Sequence, residues 1–214
     1  MSSRQLFGML VGIACVGAAL AGNVLPHATT TSASAVAPMT GGQLTARPSP
    51  TALPSPASPA RLLIPALGID AAVEPVGLEK DGSMAMPAHF SEAGWLRTGP
   101  RPGDMGNSVI AGHLDTVSGA PALFFHLSRL QAGQTVVVRD ARGALYTFVV
   151  SEVRRYELSA FRLFAVFGPS KESRLQLVTC AGRYRPGLGY SERIVVFTRL
   201  LPADTAEAAR STQS

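Results

Sequence analysis

The sequence predicts a mainly β domain, closed or nearly closed into a barrel, behind an N-terminal hydrophobic segment and a linker. Seven or eight short β-like runs recur between turn signals, and long helical periodicity is scarce. A Pro/Ser/Thr/Ala-rich stretch separates these runs from the apolar N-terminus.

After Arg4, residues 6–25 carry no charge. As a helix, about twenty residues span about 30 Å, the thickness of a bilayer core. The positive N-terminal flank predicts a single-pass membrane anchor with the rest of the chain outside the cytoplasm. A cleaved signal segment is the alternative, because Ala19-Leu20-Ala21 resembles a small-residue cleavage site and would yield a secreted domain. Residues 26–60 contain Arg47 as their one Lys, Arg, Asp or Glu, and prolines recur every two to four residues from 47 to 59. Such a segment buries too little apolar surface to offset chain entropy and reads as a semi-rigid spacer.

Residues 61–201 have the size of one domain. Arg61-Leu62-Leu63-Ile64-Pro65 is its first strand-like run, and Ala71-Ala72-Val73-Glu74-Pro75-Val76 the second, with a proline suited to an edge. Further runs cover residues 107–114, 135–139, 145–155, 174–180 and 192–200. Short helices are expected within 121–130 and 159–167. Residues 202–214 read as a flexible tail. The net charge of +5 comes from 19 Lys and Arg against 14 Asp and Glu. The arginines are dispersed rather than clustered, which argues against nucleic acid as a partner.

Chemistry concentrates on Cys180. Cys15 lies in the N-terminal run, so the domain has a single thiol and nothing to pair with it. A lone thiol in an exported protein is either deeply buried or kept for its reactivity. The strand Leu175-Gln176-Leu177-Val178-Thr179-Cys180 is read as stopping at the thiol, with 181–187 as a loop. A thiol has a pKa of about 8.5 and needs a neighbour to favour thiolate. Three histidines are available. His113 ends the run Val109-Ile110-Ala111-Gly112, where small residues permit close approach; His89 falls in a loop, and His126 in a Phe-Phe-His-Leu segment that reads as packed. His113 is open to two readings, an acid–base residue or a polar filler. Arg193, thirteen residues after Cys180, offers fixed donors for a carbonyl or oxyanion, or is a solvated strand-end arginine. Arg183 and Arg185 compete with it. Asp115 would share a face with His113 in a straight strand and could orient the imidazole, or it is a surface carboxylate.

Together, Leu177-Val178-Thr179-Cys180, the arginine thirteen residues on, and Ala111-Gly112-His113-Leu114-Asp115 resemble the sortase family of cysteine transpeptidases over nearly all of 61–201. The Ala-Gly-His-Leu-Asp string, the run Gly119-Ala120-Pro121-Ala122-Leu123-Phe124 and the Cys-Ala-Gly sequence are most similar to class F sortases. Gln176 departs from the pattern, standing where the family's Thr-Leu-x-Thr-Cys motif opens with threonine. The resemblance implies an eight-stranded β-barrel with the site in a groove on its wall. It implies that Cys180 attacks the carbonyl after threonine in an LPxTG-like signal, and that the thioacyl group passes to an amine on a peptidoglycan precursor or protein. His113 would be the general acid, and Arg193 would bind substrate and stabilise the oxyanion. Thr179 would orient substrate, or is a strand residue chosen for β propensity. No metal or cofactor is implied. The implied partners are surface proteins with a C-terminal sorting signal, an amine acceptor, and the membrane through the N-terminal segment.

Three other readings compete. An L,D-transpeptidase would share the compartment and a Cys–His site, but its Ser-His-Gly-Cys signature is replaced here by Leu-Val-Thr-Cys. A non-catalytic envelope-binding β-domain would explain the tether and barrel but not the lone thiol with His113 and Arg193. A metal site from His113, Asp115 and another histidine rests on one His-x-Asp pair, which is weak.

Overall fold

The computed structural model describes residues 55–203. The expected hydrophobic helix over 1–25, the linker up to 54 and the tail beyond 203 lie outside the described residues. Among the described residues, no helix is long and apolar enough to cross a membrane.

Eight strands form the barrel: β1 (Pro59–Ile64), β2 (Ile69–Val76), β3 (Ala93–Leu96), β4 (Gly106–Gly112), β5 (Thr135–Asp140), β6 (Leu145–Glu157), β7 (Ser173–Arg185) and β8 (Gly189–Leu200). They close in the order β1-β2-β3-β4-β7-β8-β6-β5. Two neighbouring pairs, β2–β3 and β4–β7, are parallel; the other pairs are antiparallel. Closure leaves no edge strand with unpaired backbone, which suits runs as apolar as Val136-Val137-Val138.

Alternation along each strand splits the apolar residues into two sets. Leu62, Ile64, Ile110, Phe124, Val136, Phe148, Leu175, Leu177, Ile194 and Val196 belong to the main core. The opposite faces of the same strands supply Leu96, Val109 and Val195, which pack with Val178 and the fully buried Val166 in a second cluster on the barrel's outer wall. Val166 comes from α1 (Leu163–Phe167), in the β6–β7 connection. The outer wall is apolar under this connection, where a groove can form.

Several sequence expectations need correction. The helix expected within 121–130 is a single 3-10 turn at Leu127–Arg129, because Phe124 and Leu127 are drawn into the core while Phe125 and His126 are exposed. β3 went unrecognised: four residues with an internal glycine, Ala-Gly-Trp-Leu, are too short to show alternation. β7 does not stop at Cys180 but continues to Arg185. The Cys-Ala-Gly sequence read as a loop is a bulge, with a register shift between Ala181 and Tyr184. Gly182 sits there at φ +80°, and a Cβ on it would lie 2.4 Å from Ser191 Oγ, so glycine is required on two counts.

The boundary expected at residue 60 falls inside β1. Upstream of that strand, Ala57 N–H donates to Asp140 Oδ2 at 2.9 Å, Ala141 N–H donates to Ser58 O at 2.9 Å, and Arg101 donates to Pro56 O at 3.2 Å. The last residues of the expected linker are therefore part of the domain.

Candidate active site

The site is built where β4, β7 and β8 run side by side. Cys180 on β7 is paired in register with Arg193 on β8. Paired residues on neighbouring strands project from the same face, here the outer one. The β4–β7 register ends at Ala111 opposite Val178, and His113 follows directly after β4 on the same side of the barrel end as Cys180's strand. Two details hold these strand ends together. Gly112 is the one residue that fits beside Phe124, since a Cβ there would lie 2.6 Å from the ring. Its carbonyl accepts a 2.8 Å bond from Thr179 Oγ1. Thr179 is buried, and its hydroxyl ties β7 to the end of β4 through that bond.

Cys180 is a free, half-buried cysteine. Burial pushes its thiol pKa up, the Arg193 guanidinium pulls it down, and the Asp115 carboxylate pushes it up again; the net position is above the ordinary thiol value. Arg193 is fixed by its own strand, donating through one Nη to Glu192 O at 2.8 Å and Tyr190 O at 3.2 Å. Its remaining donors are left for a ligand.

His113 does not bond to the thiol. Its Nε2 lies 2.9 Å from Pro87 O, and since a carbonyl can only accept, Nε2 carries the proton and Nδ1 is the free ring nitrogen. Phe90 packs on the imidazole with centroids 4.7 Å apart. The residue 87–90 segment therefore sets the ring's orientation, and Asp115 does not. Asp115 instead accepts a short hydrogen bond from the Tyr190 hydroxyl, which together with burial pushes the Tyr190 pKa up to about 12. Tyr190 stands three residues before Arg193, a spacing that by itself marks no chemical role. Pro87 and Phe90 gave no sequence signal, because they lie in an irregular segment far from the site in the chain.

The rival side chains are elsewhere. His89 and His126 are exposed, as are Arg183 and Arg185 on the β7–β8 hairpin. Among the described residues, no group of three His, Cys, Asp or Glu side chains gathers as a metal site would require.

A cleft of ≈ 660 Å³ opens beside the thiol. Cys180, Arg193 and Thr179 mark one part of its lining, while Leu78, Met84, Met86, Leu96, Phe161, Leu163 and Phe167 make the rest mostly apolar. His113 is not among the lining residues. The cleft can take an extended apolar peptide and present one backbone carbonyl between the sulfur and the guanidinium.

Comparison with known proteins agrees with this architecture. The family model described as Sortase domain matches residues 62–201. Among solved structures, a sortase D5 transpeptidase of Clostridium perfringens is similar at 19% identity and TM-score 0.52, covering 68% of this chain and 79% of that one. Sortase C1 of Streptococcus agalactiae is similar at 22% identity and TM-score 0.52, covering 68% of each chain. Sortase C-1 of Actinomyces oris is similar at 21% identity and TM-score 0.50, covering 67% of this chain and 71% of that one. At these identities the likeness is one of fold. No curated protein matches the chain. With the family model running from within β1 to the residue after β8, the chain belongs to the sortase family of cysteine transpeptidases.

Proposed function

We propose that this protein cleaves an LPxTG-like sorting signal and transfers the acyl part to an amine, attaching proteins to the cell wall. The observation that carries this reading is the Cys180–Arg193 register pair at the margin of an apolar cleft. The Cys180 thiolate adds to the carbonyl carbon after threonine, and the free donors of Arg193 receive the developing oxyanion. His113 delivers a proton to the leaving amine, the C–N bond breaks, and a thioester remains on Cys180. An incoming amine then gives its proton to His113 and displaces the sulfur, forming a new amide. Burial pushes the Cys180 thiol pKa up against the pull of the Arg193 guanidinium, so the nucleophile rests mainly as the thiol and must lose its proton before attack.

The Ala-Gly-His-Leu-Asp string supports placement nearest class F, and the apolar, uncharged residues 6–25 support anchoring with the barrel outside the cell. The test is mass spectrometry of products after the full chain is mixed with sorting-signal peptides and candidate amines. An amide joining the peptide's N-terminal part to the amine is the expected product. Intact peptide under all conditions, with folded protein, would refute the reading.

A further inference from the structure

The family motif's first threonine is replaced by Gln176, and the surroundings of that glutamine give it a task. Gln176 lies on the outer face of β7, two same-face steps before Cys180, and is fully buried. Its Nε2 donates to Asn107 Oδ1 at 3.3 Å. Asn107, on β4 and also buried, donates its own amide N–H groups across to the β6–β7 connection, to Gly168 O at 2.9 Å and Ala165 O at 3.3 Å. The chain of bonds has one direction. Two carbonyl acceptors fix which end of the Asn107 amide is nitrogen, so its oxygen faces Gln176, and Gln176 must present nitrogen in turn. That orientation leaves Gln176 Oε1 buried without a partner. A buried acceptor left unpaired is unfavourable and calls for an explanation; here it is the consequence of holding Asn107.

The carbonyls that Asn107 holds belong to the end of α1. Gly168 closes that helix through its N–H to Phe164 O at 2.9 Å, and a Cβ at 168 would lie 2.3 Å from the same oxygen. Leu163 and Phe167 of this helix line the cleft beside Cys180, while Val166 is fully buried against the barrel wall. A five-residue helix has no stability of its own. Its place on the wall is set by Val166 and by these two side-chain bonds.

We infer that Gln176 and Asn107 form a polar clasp that holds α1 as one wall of the peptide cleft, making both positioning residues for recognition of the sorting signal. This rests on the function proposed above, and it separates recognition from chemistry. Neither residue touches Cys180 or Arg193, so loosening the clasp should weaken peptide binding with little effect on acyl transfer.

The test uses the full chain with Gln176→Met and Asn107→Leu, which keep side-chain bulk and abolish donation. Two readouts are needed: steady-state kinetics with an LPxTG-like peptide, and amide hydrogen exchange over residues 158–172. In each variant KM is expected to rise roughly tenfold while kcat stays within about threefold. Exchange over 158–172 is expected to quicken roughly tenfold with β7 and β8 unchanged. Gln176→Met removes one unpaired buried oxygen but takes the donor from Asn107 Oδ1, so the two effects offset and its thermal midpoint should change little. Unchanged exchange over 158–172 in both variants would overturn the clasp, as would a loss confined to kcat. A fall in midpoint with faster exchange throughout the barrel would also overturn it, by showing a general structural role. If the wild-type protein turns over no sorting peptide, the proposed function fails, and the exchange measurement still decides the clasp.

Discussion

At Cys180, burial and Asp115 oppose ionisation while Arg193 favours it. The thiol therefore stays protonated at neutral pH and gains thiolate only as pH rises past the ordinary cysteine range of about 8.5. Alkylation of the folded protein should accelerate with pH up to that point and beyond. Asp115→Asn removes a negative charge and should move the profile to lower pH; Arg193→Gln should move it to higher pH. The check is the rate of iodoacetamide labelling at Cys180 across pH, and a profile indifferent to both substitutions would contradict the electrostatics. His113→Ala and Arg193→Ala should each lower kcat/KM by at least roughly a hundredfold, the size expected of acid–base and oxyanion groups. Peptide-cleavage kinetics on folded variants measure this, and a near-normal rate removes that residue from the mechanism. The sequence singles out Cys180 and His113 as the ends of apolar runs and Arg193 as the opening of one. The partners of His113 were not legible. The ring is held by a backbone carbonyl at Pro87 and by Phe90, neither of which a sequence pattern marks, and the expected Asp115 is turned aside by Tyr190.

Among the elements, the β5–β6 hairpin joins local turn chemistry to the domain boundary. Burial pushes the Asp140 carboxyl up, but N–H donors from Ala57, Ala144 and Arg142, aided by the Arg142 charge, outweigh it and hold it below its ordinary range. A depressed folded pKa contributes stability above the unfolded value of about 3.9 and loses it as pH falls through the folded value. Asp140→Ala should therefore cost about 2 kcal/mol near neutral pH, lowering the melting midpoint by about 4–8 °C. The cost should fade on acidification, as thermal melts at several pH values would show; a loss independent of pH would contradict the charged role. The long strands were legible because apolar alternation marks them over many residues. The bulge at Gly182 and the four-residue β3 were not, since so few residues cannot display a period and pairing across the barrel supplies what local pattern lacks. The turn at Leu127–Arg129 fell short of the helix expected there because the core claims Phe124 and Leu127.

For the whole molecule, closure of the barrel brings together residues widely separated in the chain. The parallel β4–β7 pair sets the end of β4, which His113 follows, beside β7, and the β7–β8 pair sets Arg193 opposite Cys180. The same closure uses β1 as a strand between β2 and β5, so truncation should be sharply position-dependent. A protein starting at residue 54 retains the contacts of Pro56, Ala57 and Ser58 and should be soluble and folded. One starting at residue 61 loses the opening of β1 and those contacts, and should melt at a clearly lower temperature or aggregate. Circular dichroism melts of the two proteins decide this; equal stability would place the boundary where the composition shift alone suggested. The most direct measurement of the central claim is intact-mass analysis of the protein quenched in acid during reaction with an LPxTG-like peptide. The account predicts an added mass equal to the peptide's acyl portion, mapping to Cys180, released by hydroxylamine and missing from Cys180→Ala. Turnover of the peptide by Cys180→Ala, or an adduct on any other residue, would contradict it.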